Sequence, residues 1–287
     1  MGYPFSPKRK SGGLSLKSLR RIFTADVLAP AIVGFLFLLI WDLFVRISQT
    51  PPYILPGPFL VFQTLLRDWQ ELFPALLVTF KITIVAFIAA VVSGVLVAVL
   101  FTQSRWIERS FFPYAVILQT TPIVAIAPLI ILWVRKIVPE PNTTFVALVI
   151  CAWIVAFFPI ISNTTLGLNS ADHNLVDLFQ LYRASRWQTL LYLRLPSALP
   201  YFLGGLRISG GLALIGAVVA EFVAGTGGAQ SGLAYQILIS SYNLQIPRMF
   251  AALLLTTLMG VTIFVGLTIL SDLLLRHWHE SAIKRET

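Results

Sequence analysis

Two ionisable side chains, Lys81 and Glu221, stand inside otherwise apolar runs. A charge at the centre of a bilayer costs a few kcal/mol, so each must face a partner or water. Other reactive groups are sparse. The histidines are His173, His277 and His279, and the tail pair lacks further Cys, Asp or His at metal spacing, so no metal site is expected. A phosphate loop needs Gly-x4-Gly-Lys-Ser/Thr, and no such run occurs. Gly225-Thr226-Gly227-Gly228 reads as a flexible connection. Cys151 is the only cysteine, which excludes a disulfide scaffold within the chain. No serine or cysteine has a base nearby in sequence, so nothing supports a catalytic residue. The chain is expected to be no enzyme and to hold no cofactor.

Composition explains where two such charges sit. Of 287 residues, 57% are hydrophobic and 11% charged, against about 25% charged in soluble domains. So much apolar surface suits a bilayer, and 13% aromatic content excludes disorder. The formal net charge of +9 would suit nucleic acid, but in a membrane chain it marks cytoplasmic loops, so no nucleic-acid partner is expected.

Six apolar runs are long enough to cross about 30 Å of hydrocarbon. They cover residues 28–45, 74–101, 111–134, 143–162, 203–224 and 249–275. Backbone in lipid must satisfy itself, so all six read as helices, and no alternating barrel pattern occurs. The expected fold is an all-α integral membrane protein. Fifteen of the 21 Lys and Arg lie in the first segment, the loops after runs two and four, the start of run five and the tail. Five lie on the opposite side, and Lys81 is within a run. That asymmetry predicts both termini in the cytoplasm. The exception is the corner 135–142, where Arg135 and Lys136 face outward. The expected organisation is a basic segment 1–27, retained rather than cleaved as a signal peptide, a membrane domain 28–275 and a tail 276–287. By helical rise Lys81 lies about 10 Å and Glu221 roughly 5 Å below the outer surface. They are expected to pair directly or through water; the alternative has Lys81 snorkelling outward and Glu221 meeting a loop.

Two helical patterns invite function. Gly205, Ser209, Ala213, Ala217 and Glu221 recur every four residues, a small-residue face that suits close helix packing, a gate or contact with a second chain. Thr120, Thr121 and Pro122 precede Pro128 in the third run, where prolines kink helices and threonine hydroxyls satisfy freed backbone, so they are candidates to line a pathway. One connection is long, residues 163–202. Its apolar spacing predicts a helix over 174–192 capped by Asp172 or Asn174, with Pro196 and Pro200 punctuating it before the fifth run. Such a segment either docks a soluble partner or lies on the membrane.

The stretch Asp177-Leu178-Phe179-Gln180-Leu181-Tyr182-Arg183-Ala184-Ser185-Arg186, followed by Arg194-Leu195-Pro196, resembles the cytoplasmic loop of binding-protein-dependent ABC transporter permeases. There the pattern is Glu-Ala-Ala, a Gly six residues after the Glu, and a Leu-Pro pair. Tyr53-Ile54-Leu55-Pro56-Gly57-Pro58, Ser104-Arg105-Trp106-Ile107-Glu108-Arg109, Gln119-Thr120-Thr121-Pro122 and Val219-Ala220-Glu221 resemble the nitrate/sulfonate/taurine-type branch, near its pyrimidine-precursor and riboflavin members. The resemblance implies a type I ABC importer permease in the cell inner membrane. It implies that a cytoplasmic ATPase dimer binds ATP and Mg. It further implies a second permease of the same or a homologous chain and an extracytoplasmic solute-binding protein. Asp177, Leu178, Phe179, Arg183, Ala184, Ser185, Arg186 and Pro196 become the ATPase-coupling residues. Asp177 stands for Glu, Leu178 and Phe179 replace small residues, and Arg183 replaces Gly, which takes a left-handed turn more cheaply. These departures suggest pairing with a non-identical permease. The competing function is an ion-coupled secondary transporter, a class that usually carries inverted repeats and midplane ionisable groups, neither of which is evident here.

Overall fold

A computed structural model describes residues 25–225 and 231–275. Most of the basic first segment, residues 226–230 of the glycine-rich run, and the tail with His277 and His279 lie outside them. The described residues are helical: α1 Ala25–Ile47, α2 Pro58–Arg67, α3 Trp69–Gln103, α4 Arg105–Thr120, α5 Ile123–Ile137, α6 Thr143–Leu168, α7 His173–Leu181, α8 Arg186–Thr189, α9 Leu195–Ala224, α10 Leu233–Tyr242 and α11 Ile246–Leu275. The chain divides into two units, residues 1–60 and 61–287. In the first, α1 is apolar all round and its Arg46 pairs with Asp42 one turn back at 2.7 Å.

In the second unit α6 packs against α3 and α9. Small residues permit the approach. On α3, Ala75, Thr79, Thr83, Ala86, Ala90, Gly94 and Ala98 form one buried stripe. On α6, Ala147, Cys151, Ala152 and Ala156 are fully buried. With lipid outside, no hydrophobic force drives helices together, so close van der Waals contact must hold them. At Gly167, near the end of α6, a Cβ would lie 2.8 Å from the Ala198 Cα and from the Tyr201 Cβ. Only a residue lacking Cβ lets α6 cross α9 there.

Five helices are long and apolar enough to cross a membrane: α1, α3, α6, the run Arg186–Ala224 and α11. The third expected span differs. It breaks into α4 and α5, whose axes meet at 100°. Pro122 is the cause. It disfavours helical backbone in the residue before it, and Thr121 is extended with ψ 124°. Each arm reaches only about 22–24 Å by helical rise, short of the hydrocarbon thickness. The pair is a broken span or a re-entrant hairpin, and a sixth span exists only if both arms are taken together. Pro128, expected to add a kink, lies within continuous α5. That arm buries Ala127, Ile130 and Val134, one helical face, in a cluster with α3, α6 and α9.

Pro196 and Pro200 do not interrupt the run into the fifth span. Pro196 falls in the first turn of α9, where a proline's missing N–H is tolerated, and a π turn at Leu190–Arg194 joins it to α8. The long connection is therefore shorter than expected: α6 continues to Leu168, and after α7 the helical run into the fifth span begins at Arg186. Replacing Gly167 with Val should drive α6 from α9 and cost about 1–3 kcal/mol. A lowered thermal midpoint of the purified chain in detergent checks this, with Gly204→Val, at a position open to any Cβ, as the neutral comparison.

Candidate functional site

The expected helix over 174–192 is two helices with a sharp turn between them. Asp172 caps α7, its Oδ1 accepting the Asn174 N–H at 2.8 Å. At the far end the Arg183 N–H donates to the Gln180 carbonyl and the Ala184 N–H to the Phe179 carbonyl, both at 2.9 Å. This paired closure needs the first of its two donors in the left-handed region, and Arg183 takes it with φ +54°. The turn expected of glycine thus forms with arginine in its place. Ser185 and Gln188 then cap α8 reciprocally, side chain to backbone, at 3.2 and 2.7 Å.

These caps set the direction of the side chains. Asp177 lines a cleft of about 750 Å³ between α7 and the α3–α4 junction, with Glu108, Arg109 and Arg194 also at its walls. Phe179 and Ala184 are half-buried, as is Pro196; Arg183, Ser185 and Arg186 are exposed. Leu178, Leu181, Tyr182 and Trp187 are exposed apolar side chains on this turn, Leu181 and Tyr182 at 80%. Sequence reasoning singled out only Leu178 of these four.

At the opposite end of the bundle Glu221 is 3% exposed and fully engaged. The Thr79 hydroxyl donates to its Oε1 at 2.8 Å, and the Ala234 N–H donates to its Oε2 at 3.0 Å. The same Thr79 oxygen accepts the Leu233 N–H at 2.8 Å. The carboxylate and hydroxyl thus cap the amino end of α10, where free N–H groups and the positive end of the helix dipole face an anion. A Cβ on Gly232 would collide with both Glu221 oxygens. Beyond it, Arg248 of α11 bonds Glu71 of α3 at 2.5 Å and Gln236 of α10 at 2.9 Å.

The expected Lys81–Glu221 pair does not form. Lys81 follows Thr79 by two residues, about 200° around α3. It therefore points toward α6, where its Nζ lies 4.9 Å from the Phe145 ring centroid. Thr79 was not singled out in the sequence, although it lies on the small stripe of α3. The Ser209, Ala213 and Ala217 stripe is also internal. All three are fully buried, and the Ser209 hydroxyl donates to the Ala156 carbonyl on α6. The face of α9 that remains open carries Ile208 and Ile215, each more than half exposed, with Gly204 and Gly211 beside open space. At the α4–α5 break, Thr120 and Thr121 donate to the Val116 and Ile117 carbonyls at 2.7–3.1 Å and so close the end of α4, with Pro122 exposed beside them. Among the described residues no three His, Cys, Asp or Glu come together as a metal would require.

Two outcomes follow from this geometry. Glu221→Ala should cost about 1–3 kcal/mol by stranding buried donors. Thr79→Val should cost a similar amount, and the double variant clearly less than their sum, because each loss already breaks the cap; denaturation midpoints of the four proteins decide it. Arg183→Gly should raise the midpoint by the equivalent of roughly 1 kcal/mol, since glycine takes φ +54° without a Cβ penalty.

Comparison with known proteins agrees with this architecture. Residues 90–280 match the family described as binding-protein-dependent transport system inner membrane component. The riboflavin transport system permease protein RibX of Chloroflexus aurantiacus is 34% identical over 93% of this chain and 95% of its own length. The formylaminopyrimidine transport permease protein ThiX of Halalkalibacterium halodurans is 32% identical over 87% and 96%. The fold superposes on the MetNI methionine ABC transporter in an inward-facing crystal form with TM-score 0.61 and 18% identity, covering 75% of this chain and 99% of that one. Inner-membrane helices, an α-helical importer fold and relatives of this kind coincide: the chain belongs to the binding-protein-dependent transport system inner membrane component family and is a permease subunit of an ABC importer.

Proposed function

We propose that the chain is one of two permeases in a complex driven by a separate pair of cytoplasmic ATPases, which bind ATP and Mg. Both termini and α7 face the cytoplasm in this reading, as the lysine and arginine asymmetry implies. The observation that carries it is the capped turn α7–α8, which holds Leu178, Leu181, Tyr182 and Trp187 out into solvent. A large exposed apolar patch marks a contact surface. Asp177 and Arg186, beside that patch, orient the docked subunit, and Arg183 sets the turn.

The second permease, the same chain or a homologous one, meets the open face of α9 at Gly204, Ile208, Gly211 and Ile215. Solute passes between the two, close to the α4–α5 break with Thr120, Thr121 and Pro122. Glu221 acts at a distance from that face, by holding α10. A solute-binding protein delivers the cargo at the α10 end. The cargo is a small nitrogen heterocycle of the riboflavin or pyrimidine kind, the chemistry named for two relatives that match nearly the whole chain. ATP closes the ATPases and moves α7, and the bundle shifts between access states according to its affinity for each.

The test is co-purification with the cognate ATPase. Burying a leucine contributes about 1.5–3 kcal/mol, so Leu178→Ser with Leu181→Ser should weaken the complex on the order of a hundredfold or more. ATPase stimulation by loaded binding protein should be lost with it, while the thermal midpoint of the permease stays unchanged, because both side chains are exposed. An unchanged complex with unchanged stimulation would overturn the reading.

A further inference from the structure

A second cavity lies at the α10 end of the bundle, away from α7. It measures about 470 Å³ and is bounded by α3, the α5–α6 corner and the first turns of α6. Its polar groups are Lys81, Asn142 and Thr144; Val78, Ile82 and Val146 are among the apolar side chains of its wall. Asn142 is the residue just before α6, so the cavity opens at the end of a span rather than at its middle.

The Lys81 side chain is exposed there, and among the described residues no carboxylate comes within ion-pair distance. Glu140 is the acid of this corner, and it does not reach Lys81. The Phe145 ring offers the ammonium a π-face but no countercharge. The Asn142 side chain does not cap α6, and the Thr144 hydroxyl has no partner within the described chain. Arg135 and Lys136 are exposed in the last turn of α5, three and two residues before Val138 of the cavity wall. Three of the six basic residues away from the basic side of the molecule therefore gather at this one corner.

We propose that this cavity binds the head group of an anionic phospholipid, of the phosphatidylglycerol kind. A phosphodiester supplies what the cavity lacks. Its charged oxygens face the Lys81 ammonium and accept from the Asn142 amide and the Thr144 hydroxyl, while its acyl chains run along the partly open wall of Val78 and Val146. The wall selects lipid over a soluble anion, which would leave that apolar surface uncovered. The site explains why an outward-facing corner carries basic residues against the charge asymmetry of the rest, since an anionic surface attracts juxtamembrane cations. It is independent of how the permease couples to its ATPase.

The full-length chain in phosphatidylcholine nanodiscs, probed by electron spin resonance with spin-labelled phosphatidylglycerol or phosphatidylcholine, tests this. The immobilised fraction should favour phosphatidylglycerol roughly fivefold, the factor for one basic side chain at an anionic surface. Lys81→Gln should abolish the preference and Lys81→Arg should keep it. Asn142→Leu and Thr144→Val, which leave the charge in place, should each reduce it and carry the test should Lys81→Gln not fold. A preference that survives in Lys81→Gln, or in both uncharged-site variants, overturns the assignment. So does displacement of the label by millimolar glycerol phosphate, which would make the site one for soluble anions, or cysteine cross-linking of residue 142 between two copies, which would make it a subunit contact.

Discussion

Everything in this bundle rests on how closely α6 can approach α3 and α9. In lipid, apolar side chains gain nothing by leaving their surroundings, so association depends on packing and on hydrogen bonds made across helices. The stripe from Ala75 to Ala98 on α3 and the stripe from Gly205 to Ala217 on α9 provide that approach from two sides of α6. Cross-helix bonds then follow from proximity: the Ser209 hydroxyl reaches the Ala156 carbonyl, and the Trp153 indole donates to Ser93 at 2.9 Å.

The two ends of the bundle use the same physics for different ends. At one, Asp172, Ser185 and the left-handed Arg183 satisfy helix termini locally, so α7 and α8 hold their shape while their apolar side chains stay free. At the other, the amino terminus of α10 is satisfied from distant elements, by Glu221 and Thr79, with Arg248 joining Glu71 and Gln236 alongside. The first arrangement makes an autonomous surface. The second ties α3, α9, α10 and α11 together through side-chain hydrogen bonds. Placing the buried carboxyl group at a helix amino end offsets part of the cost of burying it, because the dipole and two donors stand in for some of the lost water.

Pro122 decides the path of the third expected span. A proline inside a span usually bends it, yet here the axis turns through 100°. The difference lies in what surrounds it. Thr120 and Thr121 close α4 with their own hydroxyls, and α5 finds a complete apolar seat for Ala127, Ile130 and Val134 against α6. A break is tolerated in a membrane only where the freed backbone is satisfied and the new helix is packed.

Much of this was legible beforehand, because hydropathy is a property of consecutive residues. Composition and run length alone implied a helical membrane protein, and the order of short motifs from Tyr53 to Glu221 placed it among importer permeases. The cap of α7 was narrowed to Asp172 or Asn174, since capping is local, and the structure shows Asp172. The sequence could not say which face of α9 is open, because the small stripe that suits a gate equally suits an internal seam, and only the position of α6 decides between them. Nor could it say what Glu221 bonds. Depth along a helix follows from counting residues, and counting placed Lys81 and Glu221 near one end. Direction around a helix must be compared between helices, and only the folded chain turned Lys81 toward Phe145 and brought Thr79 and α10, 142 and 13 residues away in sequence, to the carboxylate.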